Sequence, residues 1–194
     1  MNGNIIKFEY CGKTYQICIN KVRAFLQDMS AMMIFGTDIY NIPKVVGIDI
    51  GGFTTDYLVM RSGLPDLEHC DSLEKGVISM YNQIKSIVNS EYDLLLEEVD
   101  IDSIIEGKTE YYDEAVVQIV EDKVQDYVVD LLNSIRERNV DTKSSYSIFI
   151  GGGALLLKRF IEKYDRLGKH VFMEDICANA KGYDAMFRAY ENRM

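Results

Sequence analysis

The order of elements in the chain predicts an α/β fold: a mixed sheet containing a three-strand meander, flanked by helices, with a small helical subdomain beside it. Three observations carry this. Residues 45–60 read VVGIDIGGFTTDYLVM, two apolar runs joined by a glycine-rich turn. Residues 146–159 read YSIFIGGGALLLKR, a short apolar strand that meets three glycines and then a Leu- and Ala-rich helix. Between them, Val116, Val120, Val124, Val128, Leu131 and Ile135 recur at helical spacing over residues 113–137.

The elements follow in order. Ile6, Phe8 and Tyr10 alternate with polar residues, as do Tyr15, Ile17 and Ile19, and Cys11-Gly12-Lys13 separates the two runs. This predicts a half-buried antiparallel hairpin. A short helix follows from Asp28, with Met29, Met32 and Met33 as adaptable core. Pro43 imposes an extended entry into the strand at 45–49 and marks a domain junction, dividing residues 1–42 from 43–194. After the second strand, residues 61–65 turn the chain into a third strand over 66–70. Asp71 and Glu74 have capping-box spacing for a helix reaching about Ser90, with Val77, Met80, Tyr81, Ile84 and Ile87 on one face. Residues 91–110 predict two short helices, DLLLEEV and IDSIIEG, as the helical subdomain, the second closed by Gly107. The long helix, a strand at Ile148, a helix to about Leu167, a short strand at Val171-Phe172 and a final helix through Tyr190 complete the chain.

Composition narrows the function classes. With 21 basic and 31 acidic residues the formal charge is −10, so no large cationic surface is available for a phosphate backbone. Direct nucleic-acid binding is not expected. No apolar run approaches the roughly 20 residues of a membrane span, so no membrane association is expected. The four cysteines, at positions 11, 18, 70 and 177, form no Cys-x-x-Cys pair, which suits a reduced cytoplasmic setting without structural zinc. His69 and Cys70 are adjacent, but neighbours on a strand point to opposite faces and do not make a nucleophile pair.

The glycine-rich turn places a carboxylate, Asp49, and the hydroxyls of Thr54 and Thr55 around Gly51 and Gly52. A backbone needs that composition to approach a phosphate and its metal ion, although an ordinary tight hairpin suits the segment equally. A strand rather than a helix follows, which excludes a Rossmann fingerprint, and the absence of Gly-Lys-Ser/Thr excludes a Walker loop. Three successive glycines at 151–153 cost on the order of 1 kcal/mol each in regular structure, which points either to a closely approaching ligand or to a flexible connection.

Together, DIGGFTTD and GGGA resemble the phosphate-2 and adenosine motifs of the actin, sugar-kinase and heat-shock chaperone ATPase superfamily, and their wording is most similar to the plasmid-segregation actins of the ParM or StbA type. DICANAKGYDAMF at 175–187 is similar to the Ala-Asn-x-x-Gly-Tyr segment that opens the last helix of those proteins. The resemblance implies an actin-like ATPase (ribonuclease H-like) lobe that binds ATP or GTP with Mg²⁺. Asp49 would hold the magnesium ion's water shell, and Gly51, Gly52 and Thr54 would face the β- and γ-phosphates. Asp56 matches the second aspartate of the motif and would bear on the metal's waters or hold the hairpin. Gly151, Gly152 and Gly153 would let the ribose and α-phosphate lie against the backbone. Gly76 falls where the family has a glycine beside the ribose, although close helix packing explains it somewhat better. The family's water-positioning Gln or Glu corresponds to Gln27, 22 residues ahead of Asp49.

The same resemblance implies filaments formed by the full-length protein and a DNA-binding adaptor as partner. It also exposes a departure: residues 1–42 contain only Gly3, Gly12 and Gly36, none in the Asp-x-Gly hairpin of a first phosphate loop. The chain is thus expected to correspond to the C-terminal half of such a protein, with residues 1–42 left from the first lobe, and to hydrolyse little on its own. A non-hydrolysing interaction module acting through residues 91–110 is the alternative. A sugar kinase would need a sugar-contact cluster that the sequence lacks.

Overall fold

The computed structural model describes residues 5–35 and 38–191. Strands β1 (Ile5–Tyr10) and β2 (Lys13–Cys18) pair only with each other. Their connection, Cys11-Gly12, has positive φ at both residues, as a two-residue hairpin turn requires. Helix α1 (Gln27–Met32), a single 3₁₀ turn and helix α2 (Asp38–Asn41) lead to β3 (Lys44–Ile50), β4 (Thr55–Arg61) and β5 (Leu64–Leu73). Then come α3 (Val77–Tyr92), α4 (Glu98–Ile105), α5 (Glu114–Glu137), β6 (Tyr146–Ile150), α6 (Gly152–Leu156), α7 (Lys158–Ile161), β7 (His170–Phe172) and α8 (Ala178–Glu191).

The five-stranded sheet has the order β5-β4-β3-β6-β7, with the predicted meander antiparallel on one side and β6 and β7 parallel to β3 on the other. Alternation along β3 sorts its residues between two cores. Val46 and Ile48 join Met80, Ile84, Val120, Val124, Val128 and Leu131 from α3 and α5. Val45, together with Leu58, Met60 and Ile148, packs on Ala31 and Met32 of α1 and Ala178 of α8. The sheet is therefore covered on both faces, which explains why β3 reads as an almost unbroken apolar run.

Helix α5 shows which effect decides. Its valines carry a penalty of a few tenths of a kcal/mol each in a helix, because β-branching restricts χ1. Val116, Val120, Val124 and Val128 are buried, and burial stabilises by about 1.5–3 kcal/mol per side chain. The Asp113 carboxylate accepts a hydrogen bond from the Ala115 N–H at 2.9 Å and caps the start.

Four sequence expectations are corrected. The β1–β2 hairpin is exposed along its whole length rather than half-buried, because no described element covers Ile6, Phe8, Tyr15 and Ile17. Phe8 and Tyr15 stack on each other at 5.4 Å. Asp71 belongs to β5, and α3 starts only after Gly76, since pairing with β4 extends to Leu73 and outcompetes the capping box. Residues 91–110 hold one helix, not two: Asp93 takes a left-handed φ of 53° that ends α3, and Glu97 with Asp100 forms the capping box that starts α4. The helix expected after the three glycines is two short ones, α6 and α7.

Helices α1 and α8 cross at almost backbone contact. A Cβ built at Gly182 would stand 1.8 Å from the Ser30 carbonyl oxygen, and no side chain is present to yield. Gly182→Ala is therefore expected to push the helices apart and lower stability by about 1–3 kcal/mol, read as a reduced denaturant midpoint.

Candidate functional site

Two strand ends and one helix start meet on the α1/α8 side of the sheet. Asp49, at the C-terminal end of β3, is only 6% exposed, and its Oδ2 accepts a hydrogen bond at 2.8 Å from Nδ2 of Asn179 in the first turn of α8. β6 runs parallel to β3 and ends beside it, so Gly151 arrives at the same place. Gly151 has φ of +89°, and a Cβ there would lie 2.4 Å from Asp49 Oδ1. Both the backbone conformation and the neighbouring carboxylate demand glycine. The two motifs, far apart in sequence, thus share one corner.

The turn from β3 to β4 is held from inside. The Gly51 N–H donates to the Thr54 carbonyl at 2.9 Å, and the Val77 and Ile78 N–H groups of α3 donate to the Gly51 and Gly52 carbonyls at 3.1 and 3.0 Å. These contacts satisfy two donors that a helix start would otherwise leave unpaired. Closing the turn thus engages the Gly51 amide. Among the described residues, the N–H groups of Gly52, Phe53 and Thr54 make no hydrogen bond, and Gly52 and Phe53 are exposed. Three consecutive donors at an exposed bend are suited to an anion.

The two threonines have separate duties. Thr55 is fully buried and its Oγ1 donates to the Lys75 carbonyl at 2.6 Å. The Tyr127 hydroxyl donates to the same carbonyl at 3.0 Å, and burial pushes its pKa up to about 12, so it stays protonated. Thr54 is half-buried, with Oγ1 3.5 Å from Asp56 Oδ2.

Asp56 stands directly opposite Asp49 in the antiparallel register, which places two carboxylates on the same face of the sheet. Like charges so paired are unfavourable unless donors or a cation compensate, and Asn179 supplies one donor. Among the described residues no group of three or more His, Cys, Asp or Glu is gathered to cage a metal ion. One buried carboxylate with a second across the strand pair suits magnesium, which keeps several waters and takes phosphate oxygens as ligands.

The remaining glycines divide by surroundings. A Cβ at Gly152 would meet nothing within 4 Å, whereas Gly153 packs on Ile50 and Val77. Gly76 lies against the backbone of Gly52 and Phe53, where a Cβ would come within 2.2 Å of the Gly52 oxygen, so its surroundings are those of close packing. Gln27 opens α1, and its side chain lies outside the described residues. One turn beyond Gly152, Leu155, Leu156, Lys158 and Arg159 line a cleft of about 530 Å³ with Ile105 and Glu106. Arg159 fixes its rim by donating to the Ile105 and Ile104 carbonyls at 2.5 and 3.1 Å and to Glu121 at 2.7 Å.

Sequence reasoning assigned no role to Asn179, Lys75 or Tyr127. An asparagine next to the start of a predicted helix was the available signal for the first. The other two depend on tertiary contacts that no local pattern encodes.

Residues 47–163, more than half of the chain, match the family model described as archaeal actin homologue MreB-like, C-terminal. No curated protein matches the sequence closely enough to count as a relative. Among solved structures, the chain is similar to Ta0583, an archaeal actin homologue, at 20% identity and a TM-score of 0.77, over 97% of this chain and 63% of that one. The same protein in complex with ADP aligns at 19% identity and a TM-score of 0.74, over 97% and 65%. The apo psk41 ParM protein aligns at 17% and 0.70, over 98% and 57%, and the Alp12 filament structure at 16% and 0.69, over 97% and 60%. The chain spans less than two thirds of the length of these relatives. At such identities the likeness establishes the fold, an α/β lobe of the actin-like type.

The division between the threonines predicts distinct outcomes. Thr55→Val removes one of two donors from a buried carbonyl and is expected to cost about 1–2 kcal/mol in chemical denaturation. Thr54→Val, on the open side of the turn, is expected to stay within about 0.5 kcal/mol.

Proposed function

Because the chain belongs to the MreB-like family of archaeal actin homologues, of which it carries the C-terminal part, we propose that it is the nucleotide-binding second lobe of an actin-like, filament-forming ATPase. Residues 43–194 make up that lobe, residues 1–42 contribute to the first, and the segment at about 91–110 is the small helical subdomain. The ligand is ATP or GTP with Mg²⁺. Support comes above all from the meeting of Asp49 with Gly151 beside a bend whose Gly52, Phe53 and Thr54 amides make no hydrogen bond among the described residues, and from the ADP bound by the archaeal relative Ta0583.

In this proposal the Gly52, Phe53 and Thr54 amides and the Thr54 hydroxyl receive the terminal phosphates, where fixed donors are worth most as charge develops. Asp49 holds the magnesium ion's waters, and Asp56 supports it from the adjacent strand. Magnesium, when bound, supplies neutralisation of phosphate charge. Gly151 and Gly152 admit the α-phosphate and ribose, Gly153 sets the strand-to-helix packing behind them, and Gly76 keeps α3 against the phosphate turn. The base enters the cleft between Ile105 and Leu156. Gln27 orients the attacking water, since an amide can position water without removing its proton.

The whole protein, in this view, assembles into filaments in the cytoplasm and moves plasmid copies through a DNA-binding adaptor, without touching nucleic acid or membrane itself. The ParM and Alp12 likenesses support that assignment. The second reading is a non-hydrolysing interaction module acting through residues 91–110.

Calorimetric titration decides between them. The first proposal expects magnesium-ADP to bind the 194-residue chain with little hydrolysis of ATP, and Asp49→Ala to weaken binding at least about tenfold, the effect of losing one charge-assisted contact. A folded chain that takes up no magnesium nucleotide would favour the interaction module. Joined to a first lobe, the protein is expected to pellet in the presence of nucleotide.

A further inference from the structure

We propose that Asn179 is a positioning residue for Asp49, orienting its carboxylate and tying that orientation to helix α1. The proposal rests on the nucleotide-site reading above and adds to it a residue outside the phosphate and glycine motifs.

The geometry fixes the amide unambiguously. An ionised carboxylate only accepts hydrogen bonds, so the Asn179 atom 2.8 Å from Asp49 Oδ2 is the nitrogen. The amide oxygen then faces the Ser30 hydroxyl, which divides its proton between Asn179 Oδ1 at 3.3 Å and the Asn179 backbone carbonyl at 3.2 Å. A flipped amide would set oxygen against carboxylate. Ser30 thereby ties the Asn179 amide to α1, and the Asn179 amide in turn holds Oδ2 of Asp49.

The two oxygens of Asp49 acquire separate surroundings. Oδ2 is turned toward α8, whereas Oδ1 faces the Gly151 corner at the distance where a Cβ would collide. Only Oδ1 is directed toward the place assigned to the ligand. A neutral amide suits this task because it donates a hydrogen bond without adding a positive charge, as an arginine or lysine would. Asp56, opposite on β4, cannot provide such a contact because it also carries an acceptor. The Gly182 approach to Ser30 holds α8 at fixed distance from α1, so the Asn179 amide has a defined place from which to act. The chain of contacts spans residues 149 and 130 positions apart in sequence.

The test compares ADP affinity with and without Mg²⁺ by calorimetry for wild type, Asn179→Ala, the isosteric Asn179→Asp, Ser30→Ala and Asp49→Ala. Asn179→Ala and Asn179→Asp are each expected to reduce the gain in affinity conferred by Mg²⁺ by about tenfold, while metal-free ADP affinity changes by less than about twofold. Ser30→Ala is expected to have the same signature with a smaller loss. Equal losses with and without Mg²⁺ would mean a merely structural role and overturn the proposal, as would wild-type behaviour of a folded Asn179→Asp. Unchanged magnesium-ADP binding in Asp49→Ala would instead overturn the site reading itself. A ligand-free check stands apart from both: the Asn179 side-chain NH₂ resonance is expected to move on Asp49→Ala, and its failure to move would refute the contact.

Discussion

A single close approach organises the site: the backbone of residue 151 touches the carboxylate of residue 49, leaving no room for even one methyl group. That contact requires β6 to lie parallel and adjacent to β3 and to end at the same level. It also requires the chain to leave β6 in a conformation that L-residues rarely adopt. Parallel neighbours need a long crossover, and α3, α4 and α5 supply it while burying one face of the sheet. The opposite face is sealed by α1 and α8, and these bring Ser30 and Asn179 to the same corner. The core and the site are thus products of one arrangement.

Much of that arrangement was legible because its signals are local. The strands flanking Gly51 and Gly52 announce themselves by unbroken apolar runs, and α5 by its valine stripe and the aspartate at its start. The likeness of three motifs to the actin-like superfamily pointed to a family that the matched residues 47–163 bear out at the level of MreB-like actin homologues. The errors arose where tertiary contacts outrank local preference. Asp71 and Glu74 carry good capping chemistry, yet pairing of β5 with β4 claims the segment. DLLLEEV contains good helix formers, but the left-handed turn at Asp93 and the cap at Glu97 leave residues 93–97 outside any helix. The hairpin's alternation was read correctly as strand and wrongly as half-buried, because alternation records which residues share a face, not whether anything covers it.

Within the site, residue types were easier to foresee than atoms. Glycine at 51 was anticipated as a phosphate contact, and the sequence did not show that its N–H also closes the turn on Thr54. Thr54 and Thr55 look alike in the sequence, whereas the fold turns Thr55 inward to Lys75. Asn179 was quoted within a motif and given no task, since its contacts with Asp49 and Ser30 reach across more than a hundred residues.

The start of α3 gives the phosphate turn a polarity. Because Val77 and Ile78 hold the carbonyls of Gly51 and Gly52 inward, the peptide planes of the bend are locked like vanes set at one angle. Rotating either plane by half a turn would strip a helix donor of its acceptor and swing an oxygen outward. The bend thus keeps its carbonyl oxygens toward α3 and the amide hydrogens of the same peptide planes on the opposite side, and the helix behind it enforces that setting.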